Sequence, residues 1–268
     1  MKGSLKKAGQ ELKGVSDMVV FKSPKEIEKI RISNQIVADI LAKLKKEVKA
    51  GVTTLYLNEV AERLARKKNA LPAFKGYKGY PYSLCTSVNN VVVHGLPSKK
   101  SLVEGDIVSL DFGVLFDGYY GDSAITVPVG KISKSAKRLI LTTKESLYKG
   151  ITKAVPGGRL SDISHAIQSH VEAAGYSVVR VFVGHGIGSS LHEDPQIPNY
   201  GKPGIGIMLN AGMTIAIEPM VNEKGCEVDI LEDGWTAITK DGGLSAHFEH
   251  TIAITENGPV ILSERIGS

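Results

Sequence analysis

The chain has 268 residues, 42% hydrophobic and 23% charged, an ordinary globular balance for one large domain or two small ones, with enough length to bury a core without staples. Its formal net charge of +5 is compatible with an anionic partner such as a ribosome, and equally with a lysine-rich surface. Two cysteines, Cys85 and Cys226, exclude a disulfide framework and favour a reducing compartment, while no apolar run approaches the ~20 residues that span a bilayer.

Residues 1–20 read as a flexible, lysine-bearing extension without the apolar core of a secretory signal, and Met18 is an alternative start. Residues 21–268 then read as one domain. Ser23-Pro24-Lys25-Glu26 is a capping box with proline at the first helical position. The spacing of Ile27, Ile30, Ile36, Val37, Ile40, Leu41 and Leu44 predicts a helix that Gly51 closes. A second helix is predicted over residues 54–68. Strands are predicted over 83–93, then over 107–114 and 124–129 flanking the turn pair Asp117-Gly118. Helices are predicted over 135–154 and 161–174, the latter ended by Gly175. Strands follow over 178–183, 214–217, 226–231, 236–238 and 247–254. Helices and strands in blocks, joined by hairpins, indicate α+β with mostly antiparallel sheet. The two helix pairs hint at two similar halves.

The Asp117-Gly118 turn fixes a register. If residues 116 and 119 pair, opposed positions sum to 235, so Asp122 faces Gly113. Asp111 lies two residues from Gly113 and shares its face. Asp111 and Asp122 are then diagonal neighbours ~7–8 Å apart at the backbone. Two carboxylates this close repel unless protonated or neutralised, and a hard divalent cation does that well. An exposed hairpin pair is the plain alternative, but Asp111 interrupts the apolar run Ile107-Val108-Ser109-Leu110, where a charge needs a partner. His185 sits among Gly184, Gly186 and Gly188, which leave its ring uncrowded and let another group approach the backbone. Glu218 ends the apolar run Thr214-Ile217, and Glu249 follows Phe248. Each alone reads as an ion pair or edge residue. Together, four carboxylates and a histidine suit two metals.

These segments resemble the type I methionine aminopeptidases. The resemblance rests on Ser109-Leu110-Asp111, Gly121-Asp122, Gly184-His185-Gly186-Ile187-Gly188, Ile217-Glu218-Pro219 and Phe248-Glu249-His250-Thr251. It also rests on Val93-His94-Gly95-Leu96-Pro97 and on residues 192–201, and it covers residues 21–261. Only 32 residues separate His185 from Glu218, too few for the helical insertion of type II enzymes. Prolidases share the fold and ligand types but usually add an N-terminal domain.

The resemblance implies the pita-bread fold, two pseudo-symmetric halves with the metal site between them. It implies removal of the initiator methionine from nascent proteins whose second residue is small. Asp111, Asp122, His185, Glu218 and Glu249 would bind two divalent ions, cobalt, manganese, iron or zinc. Asp122 and Glu249 would bridge them. A hydroxide shared by the ions would attack the scissile carbonyl, with Glu218 as proton shuttle. His94 would contact the amide beyond the scissile bond, and His192 the substrate carbonyl. Tyr77, Tyr80, Cys85, Leu191 and Trp235, with Phe74 nearby, would wall the methionine pocket. Leu191 stands where phenylalanine is frequent, and Phe74 where some members carry cysteine. Asn89, Val91 and Ser245 match a monovalent-cation site. His247 and His250 are expected on the strand face opposite Glu249. The resemblance further implies a cytoplasmic monomer acting on nascent N-termini in transient association with the ribosome, with no membrane partner. Two rival readings are a non-catalytic relative that binds RNA or protein, and a prolidase-like enzyme cleaving X-Pro bonds.

Overall fold

The computed structural model describes residues 19–266, so the extension expected over residues 1–20 lies outside the described residues up to and including Met18. Val19 already packs against the core. Ser23 and Glu26 exchange the two bonds of the capping box, and helix α1 runs Pro24–Glu47. It stops before Gly51, which instead serves a turn (φ 87°) and donates its N–H to the Leu102 carbonyl. Thr53 caps α2, Thr54–Lys67. Five strands complete the first half: β1 (Leu71–Pro72), β2 (Cys85–Val88), β3 (Val91–Val93), β4 (Ile107–Phe116) and β5 (Tyr119–Pro128).

The second half repeats this order. Helices α3 (Lys134–Ile151) and α4 (Leu160–Ala173) precede β6 (Ser177–Val178), β7 (Gly184–Gly186), β8 (Glu193–Ile197) and β9 (Thr214–Ile217). Then come β10 (Met220–Asn222), β11 (Val228–Ile230), β12 (Ala237–Thr239), β13 (Ser245–His247), β14 (Glu249–Thr255) and β15 (Gly258–Ile261).

Nine strands form one sheet in the order β1-β4-β5-β14-β9-β7-β8, with β2 on β4 and β15 on β14. Its neighbours are all antiparallel. One apolar cluster fills the space under α1 and α2, another the space under α3 and α4, and Ile125 on β5 packs against both. The sheet thus joins two similar halves, and strands from both meet at its centre.

The β4–β5 hairpin has the expected register. Asp117 and Gly118 both take left-handed conformations (φ 47° and 80°), as a two-residue turn requires, and Gly113 pairs with Asp122. Elsewhere the predicted strands break. Residues 83–93 split at Asn89 (φ 55°) into β2 and β3. The apolar run 178–183 leaves the sheet after Val178, and Val181 is exposed. Residues 247–254 divide at Phe248 into β13 and β14, which belong to different sheets.

Candidate active site

The central strands deliver four acids and a histidine to one cavity of about 240 Å³. Asp111 lies on β4, Asp122 on β5, His185 on β7 and Glu249 on β14, while Glu218 follows β9 directly. Ala124 on β5 pairs with Asp111 on one side and Glu249 on the other. Paired residues share a face, so a methyl group separates the two carboxylates and leaves room between them. Ala216 plays the same part between His185 and Thr251. The glycines beside His185 are steric requirements: a Cβ at Gly184 or Gly186 would lie 2.3 Å from the carbonyl oxygen of Ala216 or Asp194. Neighbouring strands could not approach β7 otherwise.

Hydrogen bonds anchor the backbone of these acids. Asn34 accepts the Asp122 N–H, and Thr251 Oγ1 donates to the Asp122 carbonyl. Ser123 Oγ donates to the Glu249 carbonyl, and Asn199 Nδ2 to that of Glu218. The side-chain oxygens are left bare. Asp111 Oδ1, Asp122 Oδ1 and Glu249 Oε1 are buried without a partner. His185 Nδ1 lies 2.8 Å from the Gly186 carbonyl, a contact that puts the proton on Nδ1 and leaves Nε2 as a lone pair. Donor atoms of Asp122, His185 and Glu249 fall within 4.8 Å of one another. His185 Nε2 is 3.6 Å from Glu218 Oε1.

Such clustering is costly without a cation. Burial raises the pKa of Asp111 to about 7, with Glu218 adding to the effect. Burial likewise raises Glu218 to about 7. Asp122 and Glu249 are pushed well above the usual carboxylate range, first by burial and then by each neighbouring acid. Bare buried oxygens, crowded acids and an imidazole lone pair fit a divalent metal centre.

The cavity walls are Phe74, Tyr80, Cys85, Leu191 and Trp235, an apolar group closed by Ile187. Burial drives the Cys85 thiol well above its ordinary pKa, so it remains a neutral, soft surface. At the rim, Tyr77 stacks on His192, and its hydroxyl lies 2.8 Å from His192 Nδ1. His192 Nε2 is therefore the nitrogen left for a ligand. Although part of the residue faces solvent, burial of its ring, with His185 and Lys78 nearby, lowers its pKa to about 3. His94 stands edge-on to Phe182 and Trp235, and burial lowers its pKa to about 4. Its backbone is left-handed (φ 58°), a strained state that surroundings must enforce. They do so through Gly95, whose carbonyl accepts the Thr86 N–H and whose missing Cβ would lie 2.3 Å from the Thr86 oxygen.

One expectation needs correction. His247 does not face away from Glu249: its Nε2 is 3.6 Å from Glu218 Oε2 and has no hydrogen-bond partner. Residue 247 ends β13, which pairs with β10 so that Met220 lies opposite His247 and residue 218 comes alongside it. His250, one residue past Glu249, does face away, bonded to Tyr148 and Ser263. Lys78 also lines the cavity, a residue without a motif to mark it. Asn89, Val91 and Ser245 lie outside this cavity. The Asn89 carbonyl accepts the Ser245 N–H, and the Asn89 side chain is engaged by Asp106 and Ile107.

Comparison with known proteins gives a consistent set of likenesses. The chain matches Metallopeptidase family M24 over residues 28–256. It is 53% identical to methionine aminopeptidase 1 of Bacillus subtilis, over 92% of this chain and 99% of that one. The structure of methionine aminopeptidase from Thermotoga maritima superimposes with a TM-score of 0.91 at 51% identity, covering 92% of this chain and all of that one. A prolidase from Pyrococcus furiosus gives a TM-score of 0.76 at 24% identity, with this chain spanning 66% of its length. That last likeness carries the fold alone.

Proposed function

The chain belongs to Metallopeptidase family M24, has its pita-bread fold and groups with its methionine aminopeptidases, and on that footing we propose that it removes the initiator methionine from proteins whose second residue is small. One observation supports this reading most: unpartnered oxygens of Asp111, Asp122 and Glu249 lie at the floor of a cavity with apolar walls. That arrangement suits a hydrolytic centre beneath a pocket for an uncharged side chain.

Asp111, Asp122, His185, Glu218 and Glu249 would hold two divalent ions, and manganese, iron, cobalt and zinc all accept such donors. Bound there, the ions supply Lewis acidity and lower the pKa of water towards neutrality. Glu218 takes the proton from the attacking water and returns it to the leaving amine. His247 Nε2 lies 3.6 Å from Glu218 Oε2, close enough to exclude water from that side of the carboxylate. His192 donates from Nε2 to the carbonyl oxygen as charge develops on it. His94 binds the amide beyond the scissile bond. Tyr77, Tyr80, Cys85, Leu191 and Trp235 receive the methionine side chain, with the Cys85 sulfur against the thioether. Asn89, Val91 and Ser245 are the proposed seat of a monovalent cation, supported by the backbone bond joining Asn89 to Ser245.

The same reading gives a cytoplasmic monomer that meets nascent N-termini near the ribosome. Both cysteines are free thiols, which suits a reducing compartment. No helix among the described residues is long and apolar enough to cross a membrane. Protein stripped of metal and then given manganese should hydrolyse Met-Ala-Ser and leave an X-Pro dipeptide intact. The opposite preference overturns the assignment, and inactivity on both with every metal would favour a non-catalytic binding role.

A further inference from the structure

The loop between β7 and β8 carries Leu191 and His192 to the cavity, yet Gly188, Ser189 and Ser190 give it little side-chain packing of its own. Ser189 and Ser190 are exposed. On one side the loop is tied to the sheet: Tyr120 donates its N–H to the Gly188 carbonyl at 2.8 Å, and Ile187 donates to Thr214 at 3.1 Å. On the other side it rests on an ion pair. Glu193 Oε1 accepts the Ser190 N–H at 3.0 Å, and Oε2 meets Lys22 Nζ at 2.5 Å. The two side chains are only 10% and 3% exposed.

Lys22 reaches this place from just before α1. Its own backbone N–H bonds the Gly212 carbonyl, and its Nζ also donates to the Val20 carbonyl. Its stem fills the space under the loop, since a Cβ at Gly188 would lie 2.6 Å from Lys22 Cε and 2.7 Å from Glu193 Oε1. Residues 171 apart in sequence are thus wedged against one glycine.

We infer that Lys22 and Glu193 are positioning residues: their ion pair seats the β7–β8 loop and thereby sets the placement of His192 and the Leu191 wall. The inference rests on the aminopeptidase reading above. A carboxylate this buried needs its counter-charge, and among the described residues Lys22 is the cation paired with it. Without the ammonium, Glu193 turns to water and releases the Ser190 N–H. Leu191 is 2% exposed against its neighbours, and the His192–Tyr77 bond of 2.8 Å tolerates little displacement. Misplacement by about 1 Å can cost on the order of 100-fold in turnover.

The test compares wild type, K22M, K22R and E193Q loaded with manganese, each assayed on Met-Ala-Ser for kcat and KM and for metal content. Amide exchange across residues 188–192 is followed in the same proteins after chelation. K22M should keep its metal, exchange faster across the loop and lose on the order of 100-fold in kcat/KM. K22R should restore most of that loss. H192A should cost far less in the K22M background than in wild type, because both changes act through one ring. A K22M protein that melts lower yet keeps kcat/KM within about twofold overturns the inference and makes the pair a fold staple alone. If K22M does not fold, E193Q preserves shape while removing the charge, and unchanged kcat/KM there overturns it equally. A wild type that fails to cleave Met-Ala-Ser strikes the aminopeptidase reading instead, while the exchange comparison still tests the seat of the loop.

Discussion

Removing one acid from the metal centre should stabilise the chelated protein while destroying its activity. Asp111 has an ordinary pKa of 3.8, and burial raises it to about 7 in the fold. A group whose pKa is higher folded than unfolded contributes stability that is fully present below pH 4 and lost as pH rises through 7. The gap is roughly three pH units, so at about 1.4 kcal/mol for each the ionised carboxylate costs about 4 kcal/mol at pH 8. Asp111→Asn replaces it with an amide of the same shape that never ionises. For a chain of this size the entropy of unfolding is about 0.55 kcal/mol/K, so the metal-free variant should melt about 7 °C above metal-free wild type at pH 8. At pH 5 the folded carboxyl is neutral but the unfolded one is already ionised, so about 2 kcal/mol, or about 3 °C, of the difference should remain, and it should vanish only below pH 4. Calorimetry in excess chelator at the two pH values measures it. Comparing variant with wild type at each pH cancels His94 and His250, whose depressed pKa values act in the opposite direction. Equal melting at pH 8 would mean that Asp111 is not an unneutralised buried charge, and the case for the metal centre would lose its electrostatic support. With manganese restored, the variant should bind metal weakly and turn over no Met-Ala-Ser.

Three further outcomes follow from the same geometry. Manganese at about a hundred times its dissociation constant should stabilise chelated wild type by about 2.7 kcal/mol, and less at pH 6 than at pH 8 because protons compete for the same oxygens; a melting point indifferent to manganese would contradict the site. Gly121→Ala places a Cβ 2.6 Å from the backbone of Ser33 and Asn34, where α1 crosses β5, and should cost about 2 kcal/mol or more in urea unfolding; a neutral effect would mean that the crossing is looser than described. A Met-Lys-Gly peptide carries a second residue too large for the proposed specificity, so it should resist cleavage under conditions that turn over Met-Ala-Ser, and equal hydrolysis of the two would break that specificity.

What could be read from the sequence depended on how each residue reaches the site. Asp111 and Asp122 were legible because a two-residue turn sets a register, and period two carries that register along both strands. Both residues lie within one hairpin, and nothing distant has to be known. His185 sits on a strand of three residues, too short for any periodicity, and its partners across the sheet are set by Ala216 and by glycines without a pattern of their own. Only the resemblance pointed to its role. His247 shows a different limit. Its alternation with Glu249 was available from the chain, but Phe248 breaks the strand there, and the two halves join different sheets. That His247 also meets Glu218 comes from β10 pairing with β13, where Met220 lies opposite His247 and brings residue 218 alongside. Lys22 and Glu193 lie furthest from any local rule. A lysine before a helix cap and a glutamate at the start of a strand are each ordinary surface residues, and only the folded chain, by closing Gly188 over them, makes their charges depend on each other.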